Sequence, residues 1–154
     1  MSYKVNNVNW RRETDYIEEI KEVRNKVFIC EHRIPETEEF DNNDINCEHV
    51  LVRNEDDKAV ATGRICENGK ISRIAVLMKY RNTNAAQKVI QQLLSIAHRK
   101  GINQVTIDAE LDNVSYFTNQ GFKPVGGVYM ETGLPKQTLS CSVNSFVCPH
   151  GILH

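Results

Sequence analysis

The strongest constraint on the fold is one amphipathic helix that follows directly on an irregular strand. Its apolar residues recur at helical spacing, in alternating steps of three and one, at Ala86, Val89, Ile90, Leu93, Leu94 and Ala97. The basic residues His98, Arg99 and Lys100 suit its C-terminal end, and Gly101 suits a stop. The pattern therefore predicts a helix of about four turns with one narrow apolar side.

The strand before this helix, residues 70–78, is predicted to contain a β-bulge. Its apolar residues are Ile71 and then Ile74, Val76 and Met78, so the alternation slips by one position between residues 71 and 74. A bulged strand diverges from the next parallel strand, here predicted at 104–109. We therefore expect a cleft whose unpaired backbone groups can bind an extended ligand that carries amides.

The remaining periodicities complete a single domain spanning residues 1–154. A helix is predicted from Thr14, with helical spacing as far as Phe28, and an acidic loop with a short helical piece over 31–46. A short helix is predicted over 112–120, and further strands over 3–10, 48–53, 58–66, 122–130 and 137–143. Asn68-Gly69 predicts a tight hairpin turn. The resulting order β-α-β-β-β-α-β-α-β-β predicts an α/β sandwich with a mixed sheet.

Charge and composition exclude several classes of function. The 19 basic residues nearly balance the 20 acidic ones, which argues against a general nucleic-acid binder. No stretch approaches the roughly 20 apolar residues of a membrane span. The N-terminal residues lack the apolar core of a signal peptide, so we expect a cytoplasmic protein.

The cysteines predict neither a disulfide framework nor a zinc site. They are five in number and form no CxxC pair, so we expect scattered, mostly buried thiols in a reducing cytosol. The run Cys148-Pro149-His150 is the one cluster suited to a metal, and it lacks further partners.

The start of the amphipathic helix has the features of an anion site. Asn82, Thr83 and Asn84 are good N-cap residues, and no acidic side chain occupies the first turn. Arg81 and Lys88 add positive charge. Taken alone, this feature also fits an ordinary capped surface helix. Together with the predicted cleft, it favours a ligand with a diphosphate at one end and a pantetheine-like arm at the other.

Here the sequence resembles a family. The run Arg73-Ile74-Ala75-Val76-Leu77, followed by Arg81 to Ala86, resembles the strand and acetyl-CoA loop of the GNAT N-acetyltransferases, whose pattern is Q/R-x-x-G-x-G/A. Asn84 stands in the place of the glycine, and asparagine is the other residue that best tolerates a left-handed backbone.

An ordered set of motifs narrows the resemblance to the ElaA/YjcF-like branch, over about residues 15–142. The set is Arg24 to Glu31, Glu39 to Asp44, His49, Gly63-Arg64, Gly121-Phe122 and Glu131-Thr132-Gly133-Leu134-Pro135. The resemblance implies a three-layer α-β-α acyl-CoA N-acyltransferase fold with a mixed, bulged, splayed central sheet.

The implied activity is direct transfer of an acetyl group from acetyl-CoA, or of another acyl group from its acyl-CoA, to an amine of a small molecule or protein. It implies no nucleic-acid or membrane partner, and a monomer or homodimer. The implied cofactor-binding residues are Ile74, Ala75, Val76, Arg81, Asn82, Thr83, Asn84, Ala85, Ala86, Asn113 and Phe117. A backbone N–H near residues 74–76 would hold the oxyanion.

The residues that would carry the chemistry depart from the family pattern. Phe117 occupies the place of the tyrosine that protonates the thiolate in many members, which leaves the adjacent Tyr116 or a water as the candidate acid. Lys136 replaces a usual histidine, and Glu110 replaces a usual glutamine. The candidates for the base are Glu39, Asp41, Asp44, His49, Glu110 and Glu131. The catalytic set predicted on this basis is Tyr116, Glu110 and Glu39.

The resemblance also implies a wall of the substrate site, formed by Arg24, Phe28, Asp41, Asp44, His49, Arg64, Arg73 and Glu131. The acidic run Glu39 to Asp44 is either a solvated loop or part of a buried ion network with Arg24 and Arg64. His49 also fits a purely structural role.

Two other functions remain open at this stage. The departures at Asn84, Phe117 and Lys136 fit a degenerate member that binds acyl-CoA without turnover. An acyl-homoserine-lactone synthase shares the fold and an arginine and phenylalanine before Glu-x-Asp-x-x-Asp, here Arg24, Phe28, Glu39, Asp41 and Asp44. The chain is short for that family, so this function ranks lower.

Overall fold

A computed structural model describes residues 2–12, 14–131 and 133–145. One seven-stranded sheet has the order β1-β2-β3-β4-β5-β7-β6. The strands are Lys4–Asn9 (β1), Cys47–Arg53 (β2), Ala59–Cys66 (β3), Lys70–Val76 (β4), Gln104–Glu110 (β5), Lys123–Glu131 (β6) and Leu134–Ser142 (β7). The α-helices are Thr14–Arg24 (α1), Glu36–Glu39 (α2), Ala85–Arg99 (α3) and Val114–Thr118 (α4).

Helices cover the sheet on both faces, as the resemblance implies. The apolar stripe of α3 is buried against one face together with Phe117 of α4. The opposite face packs against α1 through Ile17 and Ile20, which contact Val8 and Leu51. Only β4 and β5 pair in parallel; the other neighbouring strands are antiparallel. The three-layer fold with a mixed sheet is therefore confirmed.

The predicted bulge in β4 is confirmed at the predicted position. Thr62 pairs with Ala75 and Arg64 pairs with Ser72, so Gly63 alone opposes Arg73 and Ile74. Arg73 is the residue that absorbs the extra length, with a φ of 56°.

Gly63 has a second role, in the packing of α3. A Cβ built at Gly63 would lie 2.6 Å from Cγ1 of Val89. Glycine at this position therefore lets α3 pack closely over the bulge.

Several boundaries differ from the prediction. The first helix is α-helical only to Arg24 and continues as a π-helical turn, Asn25–Glu31. The last strand begins earlier than predicted, at Leu134, because Glu131 pairs with Leu134 in the β6–β7 hairpin. The bulged strand ends at Val76 rather than at residue 78, and a 3₁₀ turn, Met78–Tyr80, follows it.

Two other predictions agree with the structure. Helix α3 begins at Ala85, so Asn84 is its N-cap among the three candidates. The short helical piece predicted in the acidic loop is α2, and the loop also contains a 3₁₀ turn at Asp44–Asn46.

The prediction of unpaired cysteines is wrong for two of them. Cys47 and Cys66 form a disulfide with a Cα–Cα distance of 4.2 Å. They are directly opposed on β2 and β3, and this pairing arises from the strand register, which the 19-residue separation in sequence does not reveal. Cys141 is buried, whereas Cys30 is exposed.

The described ranges contain no group of three His, Cys, Asp or Glu residues arranged for a metal. They also contain no helix long and apolar enough to cross a membrane. The run Cys148-Pro149-His150 and Thr132 of the Glu131–Pro135 motif lie outside the described residues.

Reduction of the Cys47–Cys66 disulfide should lower the free energy of unfolding by about 3 kcal/mol, since a cross-link of this loop length restricts the unfolded chain. Urea denaturation with and without a thiol-free reductant measures the difference, and the double variant Cys47→Ser/Cys66→Ser should match the reduced protein. Cys30→Ser is the control and should leave the reductant effect intact. Equal stability in both conditions would contradict the pairing.

Candidate active site

The central feature of the site is a cleft between β4 and β5. In the described part of the chain these strands pair only at Lys70 with Thr106 and at Ile71 with Ile107, near their N-terminal ends. Beyond these residues β4 continues to Val76 and β5 continues to Glu110, and the two strands do not pair with each other there. The bulge in β4 therefore opens the sheet toward the C-terminal ends of the strands, and the facing backbone groups are available to a ligand.

The N-terminus of α3 follows the open end of β4. Its first turn contains no acidic residue, and the N-cap Asn84 makes no side-chain capping bond. Thr83 Oγ1 instead accepts a hydrogen bond from the Ala85 N–H at 3.3 Å. The φ of Asn84 is −87°, so the expectation of a left-handed backbone here is wrong, and asparagine is accommodated at this position without strain. Free N–H groups and the helix dipole make this end suited to an anion.

Arg81 anchors the loop between β4 and α3. Its Nε donates to the carbonyl oxygen of Val76 at 2.9 Å. Its two terminal nitrogens donate to the two carboxylate oxygens of Glu31 at 2.5 and 2.6 Å. These hydrogen bonds lower the pKa of Glu31. The guanidinium therefore joins the loop to the π-helical turn that ends at Glu31.

A polar face of the sheet borders the open end of the cleft. On β5, Val105, Ile107 and Ala109 are buried on the α3 side, so Asp108 and Glu110 point to the other face. Both acidic side chains remain partly exposed. An incoming substrate can therefore approach β5 from this face.

Lys136 lies directly opposite Glu110 across the β5–β7 pair, and Tyr129 is in turn opposite Lys136 on β6. The Lys136 Nζ binds Oε1 of Glu131 at 2.8 Å. Within the described residues, no hydrogen bond or ion pair occupies the side chain of Glu110.

Asp108, by contrast, has partners on both neighbouring strands. The Thr138 hydroxyl donates to Oδ1 of Asp108 at 2.7 Å, and Lys70 Nζ lies 3.0 Å from its Oδ2. Burial raises the pKa of Asp108, but these contacts outweigh that effect and lower it.

Tyr116 and Phe117 lie on α4, which follows β5. Phe117 is buried and packs against Phe122 with ring centroids 5.6 Å apart. Tyr116 is 39% exposed. Partial burial raises its pKa, and a hydrogen bond with Gln120 opposes that rise, so the phenol keeps its proton at neutral pH. Asn113 is exposed at the turn between β5 and α4.

The acidic run Glu39 to Asp44 forms a buried ion network rather than a solvated loop. Arg24 is 1% exposed and binds Oε2 of Glu39 and Oδ1 of Asp44, each at 2.7 Å. Arg64 binds the same oxygen of Asp44 at 2.8 Å and Oδ2 of Asp41 at 3.0 Å.

Arg73, at the bulge, extends the network to the cleft. It contacts Oε1 of Glu39 at 2.8 Å and Oδ2 of Asp41 at 3.1 Å. Three arginines therefore neutralise three carboxylates beside the bulge.

Two further residues predicted for the substrate wall lie at the edge of this network. His49 is buried, stacks on Trp10 at 4.4 Å, and donates from Nε2 to the carbonyl oxygen of Asp44 at 2.9 Å. Burial lowers the pKa of His49 to about 4, so the ring is neutral. Phe28 is half-buried in the π-helical turn and packs near Val23, Val27 and Ala75. His49 therefore has the contacts of a structural residue.

Glu31 was not predicted as a partner of Arg81, because the two residues are 50 positions apart and no local pattern connects them. The contacts of Lys70 and Thr138 with Asp108 were not predicted either, because they depend on the order of three strands.

The cleft, the helix N-terminus at its end and the polar face beside it define the class of protein: a transferase that uses an acyl-CoA. Comparison with known families agrees with this class. Residues 17–143 match the model of the acetyltransferase (GNAT) domain, and the chain belongs to the GNAT acetyltransferase family.

The relatives confirm the branch. The chain is similar to YyaT of Bacillus subtilis (strain 168), with 30% identity over 80% of this chain and 86% of the relative. It is similar to YjcF of the same organism, named an uncharacterized N-acetyltransferase, with 26% identity over 73% of this chain and 83% of the relative. The crystal structure of Escherichia coli ElaA has the same fold, with a TM-score of 0.81 at 21% identity, over 92% of this chain and 100% of that one.

The neutral state of His49 predicts a pH dependence of stability. Its folded pKa of about 4 lies below the ordinary value of 6.5. As the pH falls below 6.5, the unfolded chain therefore binds a proton that the folded chain does not. The free energy of unfolding should therefore fall by about 3 kcal/mol as the pH is lowered from 6.5 to about 4. Urea denaturation at a series of pH values measures this slope.

His49→Gln should reduce that slope, because the amide does not titrate but can still donate to Asp44. His98→Gln, at an exposed histidine of α3, is the matched control and should keep the slope. An unchanged slope in His49→Gln would show that other groups cause the pH dependence.

Proposed function

We propose that the protein transfers an acetyl group from acetyl-CoA to an amine by direct attack of the amine on the thioester. The observation that carries this proposal is the divergence of β4 and β5 next to the N-terminus of α3, whose N-cap Asn84 makes no side-chain capping bond. The cleft presents unpaired backbone groups to an amide-bearing arm, and the helix end presents N–H groups to a diphosphate.

The residues that would hold the cofactor follow from this arrangement. Bound acetyl-CoA supplies the activated acetyl group. We assign its diphosphate to the N–H groups of Asn82, Asn84 and Ala86 and to the two N–H groups of Arg81 that remain after its hydrogen bonds to Val76 and Glu31. We assign its arm to the backbone of residues 74–76. Asn113 and Phe117 would form the wall on the β5 side.

Three groups of the chain would carry the chemistry. Glu110 takes the proton from the amine, because its carboxylate lies at the open end of the cleft and has no other partner. A backbone N–H of residues 74–76 holds the oxyanion. Tyr116 donates a proton to the departing thiolate, since its partly exposed phenol lies on α4, which follows β5, and keeps its proton at neutral pH.

The buried ion network would order the wall of the acceptor site. Glu39 is 2% exposed and bound by both Arg24 and Arg73. We therefore propose that Glu39 positions Arg73 and the bulge, while Glu110 performs the proton transfer. Asp41, Asp44, Arg64 and His49 belong to the same wall.

We further propose a small-molecule or protein amine as the acceptor, a cytoplasmic setting, and a monomer or homodimer. The use of acyl-CoA supports the setting. Burial of Cys47 supports survival of its disulfide there, because access of a reducing thiol is restricted.

One observation favours a second candidate, an acyl-CoA binder without turnover. The position at which the family resemblance implies a tyrosine holds the buried Phe117, which has no proton to donate. Tight binding of acetyl-CoA without CoA release, in the presence of a broad amine panel, would support this candidate. CoA release would support the transferase.

Arg81→Met should weaken acetyl-CoA binding by about tenfold or more, because a charge-assisted hydrogen bond contributes about 1.5–3 kcal/mol. Isothermal titration calorimetry measures the Kd. Arg99→Met, which removes a positive charge at the other end of α3, is the matched control and should leave the Kd unchanged. Equal weakening in both variants would indicate a general charge effect, and absence of binding by the wild type would refute the proposed function.

Tyr116→Phe should lower kcat by about 100-fold, the usual size of a general-acid contribution, and should leave the Kd for acetyl-CoA unchanged. Initial rates of CoA release measure kcat. Tyr16→Phe, on α1 where Tyr16 stacks against Arg53, is the control and should retain full activity. A full rate in Tyr116→Phe would assign the proton to water instead.

A further inference from the structure

The charges around the cleft are paired almost completely. Arg24, Arg64 and Arg73 neutralise Glu39, Asp41 and Asp44 on the wall formed by the acidic loop. On the loop before α3, Arg81 is bound by Glu31. These parts of the cleft therefore offer no unpaired charge to a substrate.

The polar face of β5 at the open end of the cleft differs from these parts because one of its charged residues is unpaired. Lys70 is paired with Asp108 at 3.0 Å, and Lys136 with Glu131 at 2.8 Å. Glu110 lies two residues after Asp108 on β5 and opposite Lys136, and it has no ion pair within the described residues. Asp112 is exposed two positions further along the chain. The acceptor side of the cleft therefore carries a negative charge that nothing in the described chain neutralises.

Lys136 is the nearest candidate to neutralise Glu110, since it lies directly opposite on β7. Its ammonium is held instead by Glu131 at the β6–β7 hairpin. A ligand carboxylate here would have to displace Glu131 from Lys136 and would also meet the like charge of Glu110. A ligand ammonium would meet only Glu110. Like charges brought together in a partly desolvated site are strongly unfavourable.

We propose that the acceptor is an alkyl amine without a carboxylate, recognised as a cation by Glu110. This inference rests on the proposed acetyltransferase function and specifies its substrate class. Amino acids are excluded as good acceptors because their carboxylate lies one carbon from the reacting nitrogen.

The proton balance of the reaction is consistent with this class. The ammonium gives one proton to Glu110, which passes it to solvent. The free amine then forms the N–C bond to the acetyl carbon, and the C–S bond breaks. The second proton leaves the nitrogen for solvent as the amide forms. Tyr116 supplies the proton that the thiolate gains, and solvent then returns a proton to Tyr116, so that one proton is released overall.

The test uses matched acceptor series, each with a single amine. Phenethylamine, phenylalaninamide and phenylalanine form one series; isoamylamine, leucinamide and leucine form another. The neutral amide controls for size at the position of the carboxylate. With the full chain and acetyl-CoA, kcat/KM should be at least about tenfold higher for the amine and the amide than for the amino acid. Equal or higher kcat/KM for the amino acids would overturn the proposal.

Glu110→Gln should lower kcat/KM for the amines by about 100-fold, and should also narrow the ratio between amine and amino acid, because the repelling charge is gone. Glu67→Gln is the matched control. Glu67 is an exposed glutamate of the β3–β4 hairpin, at the opposite end of β4, and its variant should keep both the kcat/KM for the amines and the ratio of amine to amino acid. Loss of rate in Glu110→Gln with an unchanged ratio would overturn the assignment of specificity to this residue.

Three outcomes distinguish failure of the inferred substrate class from failure of the proposed acetyltransferase function. If the wild type binds no acetyl-CoA by calorimetry, the proposed function fails. If it binds acetyl-CoA and acetylates amino acids as well as amines, only the inference on substrate class fails. If it binds acetyl-CoA and acetylates none of the six compounds, the inference is likewise overturned, and the non-turnover candidate is favoured.

Discussion

The cleft depends on the bulge at Arg73 and Ile74, and the bulge depends on buried charge. Arg73 has a φ of 56°, a backbone conformation that non-glycine residues adopt at a cost. Its guanidinium is bound by Glu39 and Asp41, whose positions are set in turn by Arg24 and Arg64. The ion network therefore holds the residue that separates β4 from β5. Without that separation the two strands would pair along their length and close the site.

The same network explains why most of the acidic residues near the site are poor candidates for proton transfer. Burial raises the pKa of Glu39 above its ordinary value, although Arg24 and Arg73 oppose that rise. What keeps Glu39 from a substrate is its enclosure, since only 2% of the residue is exposed. The structure thus separates carboxylates that hold the fold from Glu110, which has no partner in the described chain. This separation underlies both the assignment of Glu110 and the inferred substrate class.

Local periodicity predicted much of the fold because each period reflects one element. The stripe of α3 became the buried core, and the slip between Ile71 and Ile74 located the bulge. Features that depend on distant partners were not predictable in this way. The Cys47–Cys66 disulfide arises from the β2–β3 register, and the Arg81–Glu31 pair joins residues 50 positions apart. Local pattern left three candidates for the N-cap of α3, and the structure selects Asn84 among them.

The sequence by itself determined the α/β class, the bulged strand before α3, the helix end without an acidic residue and the membership of the GNAT family, because these follow from local spacing and from motifs in order. Only the tertiary structure decided which charges are paired. Glu39 and Glu110 look alike in a sequence, but one is enclosed by arginines from α1 and β4, and the other lies opposite a lysine already bound to Glu131. Charge pairing is decided by strand order and register, and those are properties of the folded chain alone.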